Sequence, residues 1–83
     1  MNLRKVLVVD DEAIARMDMI ERLGRLRPDC RVIGQANNGS DALRMINERS
    51  PDLVLIDIKM PVMDGIEVIR QVKESGKSCR FIV

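Results

Sequence analysis

The chain has 83 residues, 46% of them apolar and 33% charged, with a net charge of +1. That balance suits one small folded domain, excludes a disordered polyelectrolyte and gives no sign of a dedicated polyanion-binding surface. There is no His, so His-based acid–base catalysis and His metal ligation are excluded as well.

The N-terminus, Met1-Asn2-Leu3-Arg4-Lys5, is basic, and the apolar stretch after it, Val6 to Val9, is too short for a signal-peptide core or a membrane span. A cytoplasmic location follows as the expectation. Lys5 to Asp10 reads as a first strand, because Val6-Leu7-Val8-Val9 is β-branched and apolar without alternation. A strand without alternation is buried on both faces, as in a parallel sheet covered by helices. Ala13 to Leu26 follows as a helix with Ala13, Met17, Ile20 and Gly24 on one stripe and Arg16, Glu21 and Arg25 largely away from it. Arg27-Pro28-Asp29 breaks it. Cys30 to Ala36 is a second strand, less apolar and suited to an edge.

Asn37-Asn38-Gly39 is a turn, and Asn38 or Ser40 can cap a helix that runs to about Arg49 with Ala42, Leu43, Met45 and Ile46 inward. Ser50-Pro51 stops it, since a residue before Pro disfavours helical angles. Leu53 to Ile56 is a third, wholly apolar strand that ends on Asp57. Pro61 and Gly65 shape the turn behind it, and a positive φ at Gly65 is one reason for glycine there. A third helix is expected from about Asp64 to Glu74, with Ile66, Ile69 and Val72 on one stripe and Val62 near its start. After the Ser75-Gly76-Lys77-Ser78 loop, Cys79 to Val83 begins a fourth strand. Cys30 and Cys79 lack metal-like spacing and read as small buried apolar residues, not as a disulfide. Strands alternating with helices and joined by short connections make an α/β fold with a parallel sheet.

Two strands end in carboxylates: Asp10-Asp11 on the first and Asp57 on the third. As neighbours in a parallel sheet their ends lie ~5 Å apart. Two charges at that distance repel by roughly 3 kcal/mol at an effective dielectric near 20, so the cluster calls for a cation. The ligand set is all oxygen, which suits Mg²⁺ with retained waters. A carboxylate beside Mg²⁺ points to phosphoryl chemistry through an aspartyl-phosphate. Asp57 is then the acceptor, Asp11 and Asp57 contact the metal, Asp10 acts through a water, and the Lys59 carbonyl can complete the ligands. Two plainer readings stand beside this: Asp10 or Asp11 capping the first helix, and Asp57 as a polar residue leaving a strand.

Val6-Leu7-Val8-Val9-Asp10-Asp11-Glu12 and Asp57-Ile58-Lys59-Met60-Pro61-Val62-Met63-Asp64-Gly65 together resemble the receiver domain of bacterial two-component response regulators. Asn38-Gly39 before Ala42-Leu43 and Pro51-Asp52-Leu53 fit the same pattern. The resemblance implies a flavodoxin-like (CheY-like) doubly wound sheet with strand order 2-1-3-4, residues 1–83 being part of a receiver that continues through the rest of the fourth strand, α4, β5 and α5. It implies a sensor histidine kinase as phosphodonor to Asp57, Mg²⁺ as cofactor, and an effector domain, possibly DNA-binding, in the full-length protein. It implies a phosphoacceptor and not an enzyme. The family's switch Ser/Thr and phosphate-binding Lys have no counterpart in these residues, so slowed phosphorylation is expected. An open apolar sheet edge leads to dimerisation, element swapping or other self-association. The alternatives are a phosphorylation-independent interaction module and an aspartate-nucleophile phosphatase.

Overall fold

The computed structural model describes residues 3–58, 60 and 65–83. The elements alternate as β1 (Arg4–Val9), α1 (Ala13–Leu26), β2 (Cys30–Ala36), α2 (Gly39–Arg49), β3 (Leu53–Ile56), α3 (Gly65–Glu74) and β4 (Arg80–Ile82). The strands form one four-stranded sheet in the order β2-β1-β3-β4, with every neighbouring pair parallel. This is the α/β CheY-like fold that the strand–helix alternation and the resemblance together imply.

The apolar strands earn their central places by burial. Val6, Leu7, Val8 and Val9 of β1 are each at most 1% exposed. Alternation divides them between the two faces. Leu7 and Val9 join Val54 and Ile56 of β3 in a core closed by Ala42 and Ile46 of α2, Val68 and Val72 of α3, and Met60. The opposite face is thinner. On it α1 packs against β1 and β2, and no α1 residue is fully buried. Leu53 and Leu55 of β3 stay half-buried there.

Two helix faces differ from the sequence expectation. On α1 the half-buried residues are Ala15, Arg16, Met19, Ile20 and Leu23, whereas Ala13, Met17 and Gly24 are exposed. The stripe through Ala13 and Gly24 has the right spacing but little apolar surface. Met19, Ile20 and Leu23 carry more hydrophobic area and set the helix rotation. On α3, Val68 and Val72 are buried and Ile69 is half-buried, while Ile66 is 62% exposed. The inward set there is Gly65, Val68 and Val72, at spacings that follow the helical turn more closely than Ile66, Ile69 and Val72. The cysteines are free, and both are half-buried rather than buried.

Local chemistry fixes the ends. Asn38 Oδ1 accepts the N–H of Asp41 at 2.8 Å and caps α2. Ser50 ends α2 in the left-handed region at φ 48°, its N–H donating to Ile46, and Pro51 follows. Lys77 Nζ reaches the same end, donating to the Asn47 carbonyl at 3.0 Å and Ser50 Oγ at 3.1 Å. The β1–β2 register slips between Val6 and Leu7, which pair with Val32 and Gly34, and this skips Ile33. Arg49 Nη1, on the α2 surface, donates to the Ile33 carbonyl at 2.8 Å. Arg49, a charged residue on the exposed side of α2, is therefore a pin on the edge strand.

Candidate acidic site

The site is built by the ladder itself. Val9 pairs with Ile56 in the β1–β3 register. The next residue on each strand is the carboxylate, so Asp10 and Asp57 leave the sheet side by side. Each is held by one more rung. The Asp10 N–H donates to the Ala36 carbonyl of β2 at 3.1 Å, and the Asp57 N–H donates to the Val9 carbonyl at 3.0 Å. Asp11 follows on the exposed turn.

The sequence places three carboxylates in one pocket, and the structure brings all three together. Asp10, Asp11 and Asp57 each offer a carboxylate oxygen, and these oxygens lie within 4.8 Å of one another. Asp10 is 9% exposed, Asp57 is half-buried and Asp11 faces solvent. Asp57, Asp10, Leu55, Ile56, Met19 and Ile82 also line a cavity toward the β4 side, so an acidic floor meets an apolar wall. An all-oxygen set of this size fits a hard divalent cation that keeps some of its waters, and softer metals would want N or S donors. Acidic oxygens this close are of the kind typical of the receiver Mg²⁺ site.

The capping reading of Asp10 and Asp11 is not what the structure adopts. Glu12 is the α1 N-cap residue, and no side chain caps the helix. Asp10 Oδ1 instead accepts the Glu12 N–H at 2.9 Å, a bond that orients the carboxylate within its own turn.

Lys59, Pro61, Val62 and Asp64 lie outside the described residues, and with them the expected Lys59 carbonyl ligand, the proline of the turn, Val62 near the helix start and the expected first helical residue, Asp64. Gly65 is described, and the reason for glycine there is not a positive φ. Among described glycines only Gly76 has one, at 81°. A Cβ on Gly65 would stand 2.7 Å from Ile58 Cα and 2.8 Å from the Asp57 carbonyl oxygen. The helix start presses on the backbone that carries Asp57, and the Gly65 N–H closes the contact by donating to the Ile58 carbonyl at 3.1 Å. Glycine is required by close approach.

Arg16 is the residue that helix periodicity misplaced. It is half-buried, its Nη1 donates to the Asp10 carbonyl at 2.7 Å, and its Nε donates to Gln35 Oε1 at 3.1 Å. The signal in the sequence is its offset: less than two helical turns beyond Asp10, a long side chain can reach back to the strand end.

The arrangement defines a class: a doubly wound parallel α/β domain with an acidic pocket where the two central strands end. Comparison with known proteins identifies the family. The model for the response regulator receiver domain matches residues 6–83, and the chain belongs to that family. LiaR of Bacillus subtilis, a transcriptional regulatory protein, is 43% identical over 79 residues, 95% of this chain and 37% of that protein. A protein-glutamate methylesterase/protein-glutamine glutaminase of a Nocardioides species is 42% identical over 79 residues, again 95% of this chain but 21% of that protein. The signal receiver domain of the response regulator NarL from Mycobacterium tuberculosis superposes with a TM-score of 0.91 at 32% identity, over 98% of this chain and 64% of that one. This chain thus spans well under half of either curated relative and about two thirds of that receiver domain. Among the described residues no helix is long and apolar enough to cross a membrane.

Proposed function

We propose that the chain is the phosphoacceptor portion of a response regulator, with Asp57 as the acceptor. The observation that carries this reading is the convergence of Asp10, Asp11 and Asp57 within 4.8 Å at the ends of β1 and β3, in a receiver-family chain. An Asp57 carboxylate oxygen attacks phosphorus and forms the aspartyl O–P bond. The P–N bond to the donor imidazole of a sensor histidine kinase breaks, and the imidazole nitrogen takes up a proton. Asp10, Asp11 and Asp57 would hold Mg²⁺, with the Lys59 carbonyl as a further ligand and Asp10 acting through a water. When bound, Mg²⁺ supplies positive charge that offsets the repulsion among the carboxylates and the incoming phosphoryl oxygens. Pro61 and Gly65 shape the loop that presents Asp57. The chain acts as a phosphoacceptor and not as a turnover catalyst, and the aspartyl-phosphate biases two states of the domain that an effector reads.

The regulator relatives support a DNA-binding effector in the full-length protein, and a cytoplasmic site of action goes with this reading. The solved receivers are longer than this chain, which supports reading residues 1–83 as part of one receiver domain. The exposed Ile82 of β4 and Val83 after it support self-association of this 83-residue chain, and light scattering that finds only monomer at high concentration would refute it.

The acceptor is tested by intact mass after incubation with a small phosphodonor and Mg²⁺. The parent should gain one phosphoryl group, and the gain should vanish with Asp57→Asn or on chelation. Equal labelling of Asp57→Asn would sink the assignment.

A further inference from the structure

We propose that Arg16 is a positioning residue for the acidic site, clamping the β1–α1 turn so that the carboxylates of Asp10 and Asp11 converge on that of Asp57. The inference rests on the metal-site reading above. Its basis is the path of the guanidinium. Arg16 leaves the first turns of α1, donates from Nη1 to the carbonyl of Asp10 at 2.7 Å and from Nε to Gln35 Oε1 on β2 at 3.1 Å. The Arg16 N–H donates to the Glu12 carbonyl at 3.1 Å, and the Glu12 N–H donates to Asp10 Oδ1 at 2.9 Å. Arg16, Glu12 and Asp10 therefore close a ring of bonds around the turn that carries Asp11. Gln35 and the Ala36 carbonyl tie that ring to β2.

The chemistry of the contact favours positioning over charge balance. The guanidinium takes the backbone carbonyl of Asp10 and leaves its carboxylate to the Glu12 N–H and to a cation. A planar fork can serve two acceptors in different directions, and a lysine ammonium on a flexible stem holds no such fixed pair. The two accounts predict opposite signs. If Arg16 acted only through its charge, removing it beside a cation site would tighten Mg²⁺ binding. If it holds the turn, removing it loosens the ligands and weakens Mg²⁺, on the order of tenfold as for other residues that orient metal ligands.

The test compares the parent with Arg16→Lys, Arg16→Met and Gln35→Leu. Three readouts are used: Mg²⁺ affinity by calorimetry, amide exchange at Glu12 in EDTA, and the urea midpoint of the metal-free protein. The expected result is about a tenfold weaker Mg²⁺ affinity for both Arg16 variants. A smaller loss is expected for Gln35→Leu, and faster exchange at Glu12 should exceed any general loss of protection. Lysine should fail to rescue. Unchanged affinity in Arg16→Lys, or tighter binding in Arg16→Met, would overturn the proposal. So would weaker binding that merely tracks the urea midpoint with no selective change at Glu12. If Arg16→Met does not fold, Arg16→Lys and Gln35→Leu decide the matter by the same criteria. A parent that binds no Mg²⁺ would overturn the metal-site reading, and Glu12 exchange would still report whether Arg16 clamps the turn.

Discussion

Replacing Gly65 with alanine puts the packing behind the strand that ends on Asp57 under direct test. The added Cβ would lie 2.7 Å from Ile58 Cα, 2.8 Å from the Asp57 carbonyl oxygen and 3.0 Å from Ile58 Cγ2. Carbon atoms in good contact sit at ~3.5–4.0 Å, so the Gly65 backbone must retreat by about 1 Å. The two nearest atoms are main chain and cannot rotate away. The retreat also stretches the Gly65 N–H bond to the Ile58 carbonyl, now 3.1 Å. Overpacking of this kind costs about 1–3 kcal/mol. For a domain of this size that lowers the melting temperature by roughly 5–20 °C. Circular dichroism should follow the unfolding, since the chain has no Trp or Tyr. The two origins for this glycine separate in a second variant. Asparagine tolerates a left-handed φ, so Gly65→Asn would be milder than Gly65→Ala if φ were the reason; close approach makes it no better. Because the crowded carbonyl belongs to Asp57, Mg²⁺ affinity should fall with stability. Wild-type stability for Gly65→Ala would refute the reasoning.

Gly24→Ala is the matching control: nothing lies within 4 Å of its Cβ position on exposed α1, so helix propensity alone should raise stability by about 0.5–1 kcal/mol, read as an upward shift in the urea midpoint. Asn38→Ala removes the side-chain acceptor of the Asp41 N–H and should cost about 1 kcal/mol in the same titration, with Asn38→Ser recovering most of it. On α3 the Arg70 guanidinium, and then the Gln71 amide, hold the Glu67 carboxyl down to about 2 from an ordinary 4.5. A folded-state value below the unfolded one means that the stabilisation is complete above about 4.5 and is lost as pH falls toward about 2. Acid titration of the helical signal should therefore show a component in that window that Glu67→Gln removes. An identical acid profile for Glu67→Gln would exclude the assignment.

Much of the fold was legible because the strands carry it openly. Val6 to Val9 and Leu53 to Ile56 are apolar runs with no polar interruption, as suits central strands; the first is buried on both faces, the second on one face and half-buried on the other. Asn38 and Pro51 mark the two ends of α2 by chemistry that acts within a few residues. The rotations of α1 and α3 were less legible. Spacing admits several stripes on a short helix, and the choice falls to side-chain area and to the neighbours a helix meets. Met19 and Leu23 outweigh Ala13 and Gly24 on area, whereas on α3 the larger Ile66 loses to Val68 because Gly65, Val68 and Val72 form the stripe that meets the core. Nothing near Arg49 in sequence marks its partner, because the Ile33 carbonyl becomes its acceptor where another strand's register slips.

The same division runs through the site. That Asp10, Asp11 and Asp57 meet follows from two apolar strands ending on acids in a parallel sheet, a rule of position that one sequence can express. How they meet depends on contacts between elements. The Asp10 turn is tied to α1 and β2 through Arg16 and Gln35, and the Asp57 backbone is pressed by the start of α3 at Gly65. None of these residues is acidic. A site with the right carboxylates but without this frame would pay the full repulsion of three charges within 4.8 Å and offer a cation no fixed geometry in return. Asp10 and Asp57 are thus held from opposite flanks, by a guanidinium on one side and the absence of a side chain on the other. Loss of either should loosen the same carboxylate cluster, which is why Arg16→Lys and Gly65→Ala should share a fall in Mg²⁺ affinity while differing in their cost to the fold.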